Sequence, residues 1–206
     1  MQVLEAVTKA KESAGKREFK QSYDLSVNIG GLNLKAPESR ISKELVLPHG
    51  RGKTPKICLI SNSIQYENRL TQAEMDALAR DKKSAKRITR EYDFFMSEPS
   101  MMVAVGKSLG RYLGPVGKMP SIIPPGANIE KFVEMKSKSV KLRIKDSPVI
   151  HCVVGAEDMQ DSDVSENINH VIDEIKKILP GKGKVKSAYI KLTMGKAMKI
   201  DIASYQ

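Results

Sequence analysis

Residues 48–61 read PHGRGKTPKICLIS, and the pattern of the chain changes in the middle of them. The first half lies between Pro48 and Pro55 and carries Gly50 and Gly52, the punctuation of a connector. The second half, 56–61, is a short, nearly continuous apolar run, the pattern of a strand buried on both faces. Before the connector the strand candidates alternate instead. "SYDLSVNIGGLNL" (22–34) puts an apolar residue at nearly every second position, and "ISKELVLP" (41–48) offers a second strand. They follow an amphipathic helix with Val3, Ala6, Val7 and Ala10 on one side and Gly15 at its end.

After the connector, strands and helices take turns. "LTQAEMDALAR" (70–80) starts a helix, with Thr71 as cap and Glu74 three residues on. "YDFFMSE" (92–98) predicts another buried strand, and "PSMMVAVGKSLGRYLG" (99–114) a helix with proline near its start and glycine at its end. The segment "GPVGKMPSIIPPGAN" (114–128), with prolines at 115, 120, 124 and 125, reads as a rigid loop before the helix "IEKFVEMK" (129–136). This alternation implies a small α/β unit with a mainly parallel sheet.

At "KSKS" (136–139) the first pattern returns. "VKLRIKD" and "VIHCVVG" predict a hairpin around Ser147-Pro148. A helix follows, with Ile168, Val171, Ile172, Ile175 and Ile178 at helical spacing, then the basic loop "PGKGKVK" (180–186). A closing hairpin joins Tyr189–Leu192 to Met198–Ile202. The outer thirds thus share one style and the middle third another. The fold class is α/β, combining an α+β and an α/β unit. A discontinuous two-layer domain of antiparallel strands and helices, residues 1–53 and 138–206, receives an insert, 54–137. Two connectors would make a hinge.

The 206 residues carry a net charge of +11, which favours a polyanionic partner. Aromatics are only 5% and tryptophan is absent, which argues against extended base stacking. Cys58 and Cys152 have no metal or redox spacing and read as small buried hydrophobes of a reducing cytosol. No apolar run approaches the ~20 residues of a membrane span, and the N-terminus lacks the apolar core of a signal peptide. A cytosolic protein is expected.

"GRGKT" (50–54) ends like a phosphate-binding loop, but the first glycine of that motif falls on Leu47, and a strand follows instead of a helix. A nucleotide-dependent enzyme is therefore disfavoured. His49, His151 and His170 stand in different elements, so neither metal nor other cofactor is expected. The acidic run "AEDMQDSDV" (156–164) lacks EF-hand spacing and reads as a helix-capping loop.

The unusual feature is "KLTMGKAMKID" (191–201), whose turn sets Met194 between Thr193 and Gly195. A hydroxyl, a flat-lying apolar side chain and a glycine that admits another backbone would suit RNA. The alternative is that Met194 folds back into the core and the turn is merely a turn.

Together these segments resemble the large-subunit ribosomal protein L-one family, in its archaeal spelling. The resemblance rests on "EFKQSYDLSVNIG", "LPHGRGK", "VGKSLGRYLGPVGKMP", "GANI" and "SAYIKLTMGKAMKID", in the family's order and over nearly the whole chain. It implies that the discontinuous domain binds the rRNA stalk beside the tRNA exit site and that the insert is a three-layer Rossmann-like domain. It further implies repression through the protein's own operon mRNA, help in releasing deacylated tRNA from the exit site, and a monomer when free. The family's threonine-methionine-glycine patch falls on Thr193, Met194 and Gly195, its serine on Ser187 and its phenylalanine on Phe19. Glu18 replaces the basic residue before that phenylalanine, between Arg17 and Lys20. Lys20, Ser22, Arg143, Lys145 and His151 match as surrounding contacts. A free RNA-binding regulator that never joins a ribosome is the other non-enzymatic reading.

Overall fold

The central strand of the first unit is β1 (Ser22–Gly30), whose alternation is unbroken. Tyr23, Leu25, Val27 and Ile29 are buried, and the residues between them are half-buried. In the computed structural model β1 pairs antiparallel with β8 (Val149–Ala156) on one side and β9 (Lys184–Leu192) on the other. With β10 (Met198–Ile200) the sheet order is β10-β9-β1-β8. The structure describes all residues except 16, 35–38, 40, 63, 125–127, 146, 181–182 and 203–206. Pro125, the Gly126-Ala127 pair of "GANI", Asp146 and the Gly181-Lys182 pair of the basic loop lie outside the described residues.

The chain divides into two compact units, Met1–Lys53 with Ser137–Gln206, and Thr54–Lys136. In the first, β8, helix α7 (Asp161–Ile178) and β9 form a β–α–β unit whose strands are separated by β1. Helix α7 and helix α1 (Val3–Ala14) bury their apolar stripes in one core with the inward residues of β1, β8 and β9. A two-stranded sheet, β2 (Ser42–Val46) with β7 (Ser139–Arg143), adds Leu45, Val140 and Leu142 to that core.

The connector is pinned to this unit. Asn167 of α7, fully buried, accepts from the His49 N–H at 3.1 Å and donates to the carbonyls of Gly50 and Val154, each at 2.9 Å. His49 Nε2 lies 2.6 Å from Glu166 Oε2, a contact that raises the His49 pKa above its usual value. Gly50 and Gly52 have φ near +70°, and a Cβ on Gly52 would come within 2.7 Å of both Ala156 Cβ and Met159 Sδ. The glycines of "GRGKT" thus serve backbone conformation and close packing.

The second unit is a parallel sheet, order β4-β3-β5-β6: β3 (Ile57–Ile60), β4 (Arg69–Leu70), β5 (Phe94–Ser97) and β6 (Ser121–Ile122). All of β3 is buried because both faces are covered. Cys58 and Ile60 pack with residues of α2 (Gln72–Arg80), α3 (Lys82–Glu91), α4 (Met102–Ser108) and α5 (Gly110–Val116). Ile57 and Leu59 share a second cluster with Phe132 and Val133 of α6 (Ile129–Ser137). Thr71 and Glu74 form a complete capping box on α2. Where the strand order reverses, between the ends of β3 and β5, polar side chains bond within the fold. Ser61 donates to Glu98 at 2.5 Å and accepts from the Ile64 N–H at 2.8 Å, and Asn62 accepts from the Gln72 N–H at 3.1 Å.

Three local expectations change. First, β7 and β8 form no ladder with each other; β7 pairs with β2 and β8 with β1, because each has a longer-range partner. Second, the helix expected over 99–114 is a 3₁₀ turn (Pro99–Met101), α4 and α5, broken at Leu109. Helix α5 takes Gly114 and Pro115 into its last turn and ends on a left-handed Gly117, and β6 occupies part of the expected loop. Third, the acidic run places no side-chain cap on α7, whose N-cap is Gln160. Its carboxylates bind the N-terminal segment instead: Glu157 accepts from the Gln21 N–H, Asp158 pairs with Lys20 and Asp161 with Lys11.

Gly52→Ala should destabilise the first unit by about 1–3 kcal/mol in urea unfolding, since φ and space both oppose a Cβ. Gly106→Ala, inside α4 with nothing within 4 Å, should be neutral or stabilising. Glu166→Gln should return the His49 pKa toward 6.5 in an NMR titration. Because the folded-state pKa is raised, the contact stabilises fully below pH 6.5 and is lost as pH rises through the raised value.

Candidate nucleic-acid interface

The outward residues of β1 are Ser22, Asp24, Ser26, Asn28 and Gly30. Register sets Lys191, Tyr189 and Ser187 of β9 beside Asp24, Ser26 and Asn28. On the other side Val153, His151 and Val149 of β8 stand beside the same three residues. Lys199 of β10 stands beside Tyr189. One row therefore runs Lys199–Tyr189–Ser26–His151 across four strands, about 14 Å wide at the usual strand spacing. Asn28 donates to Ser187 Oγ at 2.8 Å, which fixes the hydroxyl's position. A Cβ on Gly30 would lie 2.9 Å from Lys186 Cε, so the glycine seats that lysine's stem. Burial holds the Asp24 carboxyl above the ordinary range, against the opposing pull of Lys191 and His151.

At the end of β9 the turn is strapped to the start of β1. The Thr193 N–H donates to the Ser22 carbonyl at 3.1 Å, and its hydroxyl accepts from the Ser22 N–H at 3.2 Å. The Met194 N–H donates to Gln21 Oε1 at 3.2 Å. These bonds hold the backbone while the Met194 side chain is 57% exposed, so it does not fold into the core. Phe19, two residues before Gln21, is 50% exposed. Gly195 also serves the packing of its own chain. A Cβ there would sit 3.1 Å from Ala14 Cβ, so its smallness admits helix α1 of the same chain.

The remaining candidates are dispersed. His151 is exposed on the sheet face and Ser22 lies at its edge, beside the turn. Lys20 is engaged within the fold, 2.6 Å from Asp158 and 2.9 Å from the Gly52 carbonyl. Arg143 ends β7, in the two-stranded sheet, and Lys145 follows it toward β8. Asn28, Tyr189, Lys191 and Lys199 join the face without having been singled out. Alternation marked their strands, but only the strand order shows that these residues stand side by side. Hydroxyls, an amide, an imidazole and ammonium groups suit 2′-hydroxyls and phosphates, and the single aromatic, Tyr189, argues for reading shape.

Residues 8–196 match the family described as Ribosomal protein L1p/L10e family. Similar chains include the large ribosomal subunit protein uL1 of Pyrococcus horikoshii, 40% identical over 97% of this chain and 95% of the relative. The uL1 of Methanothermococcus thermolithotrophicus is 42% identical over 97% of both chains. That of Methanothermobacter thermautotrophicus is 40% identical over 97% of this chain and 98% of its own.

Thr193→Val removes the hydroxyl that bonds Ser22 but keeps the shape of the turn. Water can reach these groups, so the stability loss in urea unfolding should stay within about 1 kcal/mol.

Proposed function

The chain belongs to the Ribosomal protein L1p/L10e family, and from that premise we propose that it is a structural protein of the large ribosomal subunit that binds the rRNA stalk. The discontinuous domain, 1–53 and 138–206, carries the RNA site, and 54–137 is a Rossmann-like insert. The observation that carries this reading is the exposed Met194, held on a strapped turn beside a largely polar sheet face. Thr193 and Met194 meet the RNA sugars, with Phe19, Ser22 and Ser187 completing a contact that excludes water. Gly195 lies in the same contact and keeps the turn seated against helix α1. His151, Lys20, Arg143 and Lys145 meet phosphates around it. The chain is a monomer when free, acts in the cytoplasm without catalysing a reaction, and uses no cofactor.

The same surface would bind a similar fold in the protein's own operon mRNA and so repress translation. On the ribosome the stalk would help deacylated tRNA leave the exit site. A salt series on a stalk rRNA fragment tests the core of this reading. Met194→Asp should weaken binding at least 100-fold with little change in salt slope, because a packed, desolvated contact is lost. A diffuse basic surface predicts a loss below about fivefold, the effect of one added exposed charge. Failure to co-sediment with large subunits would favour a free regulator.

A further inference from the structure

Helix α3 of the second unit, KKSAKRITRE, is charged in a way its own fold does not balance. Lys83, Lys86, Arg87 and Arg90 follow the spacing i, i+3, i+4, i+7 and so share one face. All four are exposed, and with Glu91 they line an open groove of about 580 Å³. Among the described residues none of the four basic side chains has an ion pair. The four pairs that these basic residues make among themselves at i,i+3 and i,i+4 are like-charge pairs, which destabilise a helix, and only the Arg87–Glu91 spacing sets opposite charges together. Asp81 caps the helix, its carboxylate accepting from the Lys83 and Ser84 N–H groups at 3.0 and 3.2 Å, so the dipole is answered at the N-terminus while the four-residue basic face is not. The opposite face, Ala85, Ile88 and Thr89, is packed into the unit. A bound polyanion would relieve this repulsion.

We infer that this α3 face is a second RNA-binding surface, contacting the phosphodiester backbone at a place separate from the sheet face. The chemistry selects that ligand. From residue 83 to 90 the charges extend over about 10 Å of helix, so they track a line of phosphates and do not converge on one anion. The lining has no aromatic ring on which a base or nucleotide would stack. The helix's apolar face is already buried, so it has nothing to insert into a lipid surface. The contact is electrostatic and independent of sequence. It deepens the proposed function but rests on a different surface.

The test uses the full chain and two RNAs, a stalk rRNA fragment and a 24-base-pair duplex of arbitrary sequence. The variant K83Q/K86Q/R87Q/R90Q keeps helix-forming side chains and removes the charge. A control, K9Q/K56Q/K107Q/K131Q, removes four exposed lysines elsewhere. The α3 variant should bind the duplex at least tenfold more weakly, with a salt slope lower by about 2–4, while the control changes less than threefold. Equal losses in both variants mean diffuse charge and overturn the inference, as does an α3 variant that binds like wild type. Met194→Asp in parallel separates the two ideas. If it leaves stalk binding intact while the α3 variant weakens the duplex, the sheet-face reading fails and the α3 surface stands.

Discussion

The packing of α1 and α7 against the same core is the constraint on which the first unit depends. A four-stranded sheet has two faces. The split β–α–β connection brings α7 over the inward side of β1, and α1 joins it there. Each buried aliphatic side chain contributes roughly 1.5–3 kcal/mol to holding that layer in place. The other face is left to polar residues from β1, β8, β9 and β10. Its composition follows from the same alternation that builds the core. A polar sheet face backed by a packed core is a suitable platform for a ligand read by shape and phosphate position.

The turn extends this logic. Its backbone donors are satisfied by Gln21, Ser22 and Leu192, so nothing pulls the Met194 side chain inward. Gly195 lets the turn close against Ala14 at the end of α1. The exposed methionine is therefore held in position by the same helix that covers the sheet's inner side. Pre-arrangement of this kind lowers the entropy lost when a partner binds. The acidic stretch before α7 has a related use: Glu157, Asp158 and Asp161 hold Gln21, Lys20 and Lys11, which lie on the way into the site.

Features that depend on neighbours in the chain could be read directly. The capping box at Thr71 and Glu74, the doubly buried run of β3 and the alternation of β1 are local patterns with local causes. Features that depend on distant partners could not. The β7–β8 hairpin was a reasonable inference from Ser147-Pro148, yet β2 and β1 lie far off in sequence and take those strands as partners. Leu109 breaks a helix that propensity alone would run through, and Pro115 stands one residue before α5 ends at Val116. The packing role of Gly52 depends on Ala156 and Met159, which no motif around the glycine reveals. At the site, Met194 was legible as an odd residue in a turn. The row from Lys199 to His151 needed the strand order.

Methyl NMR of the methionine-labelled chain, with and without a stalk rRNA fragment, tests the central claim most directly. Met194 is exposed on the proposed surface, while Met75 and Met96 are fully buried in the other unit's cores and serve as internal references. RNA that docks on the strapped turn and the open sheet face should move the Met194 methyl most, leaving Met75 and Met96 in place. A tight complex in which Met194 does not move would contradict the account, whatever the affinity.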